Sequence, residues 1–556
     1  MGGEKIQKLN ISDLITILAL VMVGSFHEHI SCLLSVIISV CLLRRIWKAK
    51  TFVMKQDLLS VSVILIVIGY GLTCFWAVDR GMAFIGFLKF LPLLLFLLLK
   101  WQESGKSYAL QMLPYVGAIM AVISAIGMQI PVLRDWFSVA DRLAGFFQYP
   151  NTFAVFLLVC ELLLLKKEKK AWYDYLTLLL LVAGLLYTGS RTVFVLFLAL
   201  NFAMLLVLFP KKGRVALLAG AGIGVLVLGL LALAGNPIIN RYLTISLTES
   251  TFVGRILYIV DALPLLLKHP FGLGYMGYYY IQGSVQTGVY SVAYIHNDFF
   301  QLLLDIGWIP GLAFIAAVVS YFSQKKIPMA DKLVAAALCL HSLLDFDLQM
   351  IGMFFVLLLL LEQPEGKTHK VAVKALGKAV LVCTAAVSLY MGAALLMSHL
   401  GYWQVSDGMY GYNTRNKLSI LEQETDLARA NEIADEILSY NTQYFAPYTI
   451  KAKYSYSKGD FTSLIQNAQA VFARNPFEAR EYEQYCQMLL TGIDLYGKAG
   501  DTKSAEFCME QLLQTQKMLA ANAQRLSPLG KLIDDQPVTE LSLELQQQIK
   551  MIGGSK

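Results

Sequence analysis

The chain has 556 residues, of which 57% are hydrophobic and only 15% charged, and its mean hydropathy is +0.57. A water-soluble protein cannot bury that much apolar surface, since soluble domains are nearer half apolar and a quarter charged. The formal net charge of +7 gathers in short basic segments between apolar runs, a positive-inside pattern that needs no nucleic-acid partner.

Apolar runs of spanning character lie near 11–26, 30–43, 58–77, 82–99, 108–128, 151–165, 172–189, 191–209, 215–234, 298–322, 330–345, 349–361 and 374–399. With the N-terminus inside, the clusters at 44–50, 166–170, 210–214, 323–326 and 367–370 all fall on the cytoplasmic face. That agreement predicts about thirteen transmembrane helices, an all-α polytopic membrane domain over 1–400, and a tail outside. The first apolar stretch runs into the second without a small-residue cleavage site, so no cleavable signal peptide is expected. Three outer segments follow from this topology: 129–150, a large loop over 235–297, and the tail 401–556.

The tail is polar, charged and rich in helix formers. Asn441 and the pair Asn475-Pro476 stand 34 residues apart, where one helix pair would give way to the next. That period suits tetratricopeptide-like helices ahead of a generic bundle, and such surfaces usually bind a protein partner. Of eight cysteines, six lie in or beside apolar runs and none has CxxC spacing, so neither a disulfide framework nor a metal site is expected. Cys486 and Cys508 could pair.

Arginine is scarce outside the basic clusters. Arg142 in "DRLAGFFQYPNTFA", Arg191 in "YTGSRTVFVLF" and Arg255 in "GRILYIVDALPLLLKHPFGLGY" each stand at the outer edge of an apolar run. A guanidinium stays charged and its planar fork suits phosphate oxygens, although each could instead snorkel to lipid headgroups. Ile256, Ile259, Val260, Leu263 and Leu267 share one helical face of a segment read as interfacial. The "HPFGLGYMGYYY" that follows reads as an aromatic belt at the bilayer surface, ahead of a sugar-stacking floor.

His296 opens "HNDFFQLLLDIGWIPG", and an imidazole there can take a proton from an attacking hydroxyl. Asn297, Gln301 and Asp305 follow at four-residue spacing. On a helix they form one polar face, which must turn toward a cavity or a partner helix. Asp305 alone reads best as an interhelical contact. In "HSLLDFDLQ", His341 and Asp345 are also four apart and could orient one another or complete a pocket. No histidine–carboxylate set has metal spacing, and no cofactor is expected.

These stretches, from Arg142 to about Gln349, together resemble the O-antigen ligase and O-antigen polymerase group of bacterial glycan-assembly membrane proteins. The resemblance implies a C-type glycosyltransferase-like fold and a core near 140–350. It implies transfer from an undecaprenyl-diphosphate-linked glycan to a glycan or glycolipid acceptor, at the outer face of the bacterial plasma membrane. By it, Arg142, Arg191 and Arg255 hold the donor diphosphate, His296 activates the acceptor hydroxyl, and Asn297, His341 and Asp345 support the site. No metal is needed, because the lipid diphosphate is already an activated leaving group. One departure is "ND" after the histidine in place of the commoner "NS" or "NT", which leaves Asp298 without a role. Two other classes compete: a flippase of polyisoprenoid-linked glycans, which would show inverted repeats and paired broken helices, and a membrane scaffold for envelope enzymes.

Overall fold

A computed structural model describes residues 9–49, 51–103, 107–209, 241–242, 248–363 and 366–553, with 214, 215, 222 and 246 besides. Apart from 215 and 222, the expected run 215–234 lies outside them. The described residues are mostly helical, as the apolar runs require: with no water to satisfy the backbone, a membrane segment must bond to itself. Among the described residues, six helices are long and apolar enough to cross a membrane: Glu28–Trp47, Arg80–Trp101, Ala109–Gly127, Arg191–Leu208, Ser250–Lys268 and Ala375–His399. Six shorter apolar helices accompany them: Ile11–Val21, Leu58–Thr73, Pro150–Leu165, Trp172–Tyr187, Trp308–Ser323 and Ile351–Leu360. The segment read as a short interfacial helix from Arg255 is thus longer than expected, starting at Ser250. Its face Ile256, Val260, Leu263 and Leu267 is exposed, while Asp261 is buried.

One expected span is broken. Residues 298–322 form two helices, Asp298–Ile306 and Trp308–Ser323, that part at Gly307. Gly307 has φ +87° and passes so close to Pro270 and Phe271 that a β-carbon would clash with their backbone. The break lets the glycine loop lie against it: Leu273 N–H donates to Leu304 O at 2.7 Å, Gly274 N–H to Asp305 O at 2.9 Å, and Trp308 N–H to Pro270 O at 2.9 Å. The aromatic residues of this loop divide: Phe271 is exposed and Tyr279 half-buried. Tyr275, Tyr278 and Tyr280 are buried.

The polar face after His296 is likewise packed and does not wall a cavity. Gln301 accepts from Ile295 N–H at 3.0 Å and donates to Asp305 at 2.8 Å, and Asp305 accepts from Tyr70 OH at 2.9 Å. The chain is closed, so Asp305 serves to tie two helices.

The molecule has two distinct ends. At one, strands Thr51–Gln56 and Lys367–Ala372 pair antiparallel, with Thr51 opposite Ala372, and Gln102 bonds to Val53. This ribbon sets two of the basic clusters side by side. At the other end the tail docks: Asn441 donates to the buried Asp79 at 2.9 Å, and Arg415 donates to Glu28 at 2.6 Å. The loop over 269–297 meets the tail there as well, through Tyr279 and Tyr444, and through Thr287 and Ser527.

The tail stacks helices Leu427–Leu438, Ala446–Ser457, Phe461–Arg474, Ala479–Ala499 and Thr502–Ala521 in succession. Asn441 and Asn475 both fall in turns between helices, and one antiparallel pair lies between them. Cys486 and Cys508 are buried free thiols and do not pair.

Candidate active site

Arg142 is delivered by a hairpin. Val139 faces Arg142 across a two-residue turn whose Ala140 and Asp141 have φ +50° and +58°, the mirror-image geometry that fits tight hairpins. The Arg142 Nε donates to Thr188 O at 2.8 Å and its Nη2 to Asn151 Oδ1 at 2.7 Å. Two helices meet at "TGSR", and Gly189 there has φ +61°. A β-carbon on it would sit 3.3 Å from Arg241 Cδ and 3.6 Å from Arg142 Nε, so the glycine lets two arginines crowd over one turn. Arg241 Nε donates to Gly189 O at 3.0 Å, and Arg191 Nε to Arg241 O at 3.1 Å. Arg191 also pairs with Glu249. Arg255 reaches Thr192 at 3.4 Å and Asp345 at 3.0 Å.

Four guanidiniums therefore line one cavity of about 300 Å³, with Asn151, Ser190, Glu249 and Phe252. Burial, together with the charge of Arg241, lowers the Arg142 guanidinium to about 10. A cation disfavoured in this way gains from an anionic ligand.

Asp345 joins the cavity to the histidine. It is fully buried and lies in the turn after the helix Met329–His341. One oxygen accepts from Tyr149 OH at 2.9 Å and meets His296 Nδ1 at 3.1 Å. The other accepts from Asn151 Nδ2 at 2.9 Å and Arg255 Nη2 at 3.0 Å. Burial alone would push this carboxyl up. The hydrogen bond with His296 and the Arg255 guanidinium override it and hold the group well below the usual carboxylate range.

His296 sits in the left-handed region, φ +53°. A non-glycine residue keeps such a conformation only when its surroundings fix it, which is common at functional sites. Its ring lies 5.0 Å from Phe346 and 6.0 Å from Tyr258, and its side chain is 22% exposed. A neutral imidazole that donates Nδ1–H to Asp345 leaves its Nε2 lone pair free. The chain Arg255–Asp345–His296 thus sets an imidazole beside a cationic cavity.

The expected pairing of His341 with Asp345 is corrected. The helix ends at His341, so i, i+4 spacing no longer places the two on one face. His341 Nδ1 meets Asp347 at 2.6 Å instead, and Asp347 accepts from Thr152 at 2.7 Å. His341 is sealed, and its Nε2 has no partner among the described residues. Asn297 caps the next helix, accepting from Phe300 N–H at 2.9 Å. Asp298 ties that helix to the turn after His341. It accepts from Leu348 N–H and donates its own N–H to Ser342 O, both at 2.8 Å.

Of the expected residues, the structure brings Arg142, Arg191, Arg255, His296 and Asp345 together. Tyr149, Asn151, Arg241 and Glu249 were not anticipated. Arg241 follows an apolar run just as the other external arginines adjoin theirs, and that signal would have found it.

Residues 176–316 match the family model described as O-antigen ligase. The match takes in Arg191, Arg241, Arg255, His296 and Asn297, and ends before Asp345. No curated protein and no solved structure matches the chain. The family match and the apolar helices together support a membrane protein that transfers glycans in polysaccharide assembly.

Proposed function

We propose that the protein transfers a glycan from undecaprenyl diphosphate to a hydroxyl of a glycan or glycolipid acceptor, at the outer face of a bacterial plasma membrane. In this reading the chain crosses the membrane thirteen times, and the tail is an extracytoplasmic, tetratricopeptide-like domain that offers a surface to a protein partner. The observation that carries the proposal is the chain Arg255–Asp345–His296 beside a cavity lined by four arginines.

The acceptor oxygen attacks the anomeric carbon of the donor and gives its proton to His296 Nε2. The bond from that carbon to the phosphate oxygen breaks, and undecaprenyl diphosphate leaves with the electron pair. Arg142, Arg191, Arg241 and Arg255 hold the diphosphate and offset its growing charge. Asp345 stabilises the imidazolium that forms. Glu249 sits on Arg191 in this structure, so a diphosphate entering the cavity takes the place of that carboxylate.

The test is release of undecaprenyl diphosphate by purified protein in liposomes, given a lipid-diphosphate glycan and an acceptor. His296→Ala should lower turnover about a thousand-fold, the scale of a lost general base, with folding intact. Transport of the donor across the bilayer with no release would sink the proposal.

A further inference from the structure

We propose that the tail, through Arg415, positions the catalytic histidine; the inference rests on the transfer reading above. The link begins with a lysine where one is least expected. Lys89 stands mid-way along the apolar helix Arg80–Trp101 and is fully buried. An ionisable group at such a place is retained for a role and needs a partner. Its Nζ donates to Tyr275 OH at 3.2 Å and to Tyr294 OH at 3.3 Å, and lies 4.8 Å from the centre of the Phe26 ring.

Its counter-charge is Glu28, reached through Tyr275, whose OH donates to Glu28 at 2.7 Å. The same Glu28 oxygen accepts from Arg415 at 2.6 Å, and Arg415 lies on the tail helix Thr414–Gln423. Two cations thus share one carboxylate through a tyrosine. Gly86, one turn from Lys89, makes room, since a β-carbon there would collide with Tyr275.

The other end of the link is the active site. Tyr294 precedes His296 by two residues, and its OH lies 3.0 Å from that of Tyr275. Its ring is 5.3 Å from Phe346, which follows Asp345 and flanks His296 at 5.0 Å. His296 keeps a left-handed backbone, so whatever fixes its neighbours fixes its aim. Ile295 is bonded to Gln301 and Asp298 to Ser342. His296 itself meets Asp345 and Asn297 caps the next helix; on the side before the histidine Tyr294 is a further anchor, and it hangs on Lys89 and Tyr275.

The coupling follows from charge. With Arg415 present, Glu28 is neutralised from the tail side and Lys89 stays between the two tyrosines. Without it, Lys89 is the nearest cation to Glu28 and is drawn toward it, away from Tyr294. The histidine then loses its alignment while the arginine cavity, on other helices, is untouched. Arg415, Glu28, Lys89 and Tyr294 are positioning residues.

Arg415→Met in the full-length protein tests this with two readouts. Turnover should fall at least about ten-fold, the scale of a small misplacement of a catalytic group, while KM for the donor stays within about two-fold. Amide exchange of the segment 291–297 should quicken. Arg415→Lys, which keeps the charge, should restore most of the turnover. Glu28→Gln added to Arg415→Met should recover part of it, by removing the carboxylate that draws Lys89 away. Unchanged turnover and exchange in Arg415→Met would overturn the inference, as would an equal loss that neither Arg415→Lys nor Glu28→Gln relieves. Absence of turnover in the wild type would defeat the transfer reading instead, and the exchange measurement would still decide the coupling.

Discussion

Two histidine–carboxylate pairs draw their carboxylates, Asp345 and Asp347, from one turn, yet they occupy opposite environments. His296 meets Asp345 at 3.1 Å and His341 meets Asp347 at 2.6 Å. The first imidazole is 22% exposed and the second 1%. Asp345 is shared with Arg255, Tyr149 and Asn151, residues on the way to a cationic cavity. Asp347 is shared with Thr152 and Ser342, which lead nowhere. The chemistry of the pair is therefore not what marks a site. A route to solvent and a source of charge are, and only the first pair has both.

The largest effect expected from breaking the first pair is that of Asp345→Asn. Turnover should drop about a hundred-fold as the imidazole loses its orientation, and stability should fall by about 3 kcal/mol as Arg255 loses its counter-charge. The sign with pH is definite. A carboxyl held below its ordinary value of about 4 contributes stability above that pH and loses it as acid protonates the folded form. Thermal unfolding of wild type and Asp345→Asn should thus differ fully above about pH 4 and converge below it. A constant gap at all pH values would show that Asp345 carries no such charge linkage.

Arg241→Ala comes next and sharpens the cavity side of the comparison. Loss of one charge-assisted contact should raise the donor KM roughly ten-fold and lower turnover at saturation as well, because Arg241 also offsets the charge growing on the leaving group. A fall in turnover alone, with KM unchanged, would take Arg241 out of donor binding. The smallest effect belongs to Asn297→Ala. Removing a helix cap should cost about 1 kcal/mol by chemical unfolding and lower turnover only as far as His296 is loosened by its neighbour. A catalytic asparagine would show the reverse, with stability intact and turnover lost.

Much of this was legible in the sequence, and the misses have physical causes. Among the described residues, apolar run length found five of the six helices long enough to cross a membrane, because the bilayer forces self-bonded segments, and it missed Ser250–Lys268. External arginines beside apolar runs found Arg142, Arg191 and Arg255, because a permanent charge at that depth needs a reason. His341 and Asp345 were paired by helical spacing, and that inference failed where the helix stopped. Gly307 lay inside one expected apolar run, and the close approach of Pro270 and Phe271 explains the break there. The ribbon joining Thr51–Gln56 to Lys367–Ala372 and the reach of Arg415 to Glu28 are contacts across hundreds of residues, which local pattern does not encode. Lys89 was visible as a charge in an apolar helix, but its partners come from three distant segments.

The central claim is that only one of the two histidines does chemistry. His296→Gln and His341→Gln, compared at equal amounts of folded protein for release of undecaprenyl diphosphate, test it directly. His296→Gln should be about a thousand-fold slower than wild type, whereas His341→Gln should unfold at a lower temperature yet turn over within about two-fold of wild type. Equal loss of turnover in both, or loss in His341→Gln alone, would contradict the account.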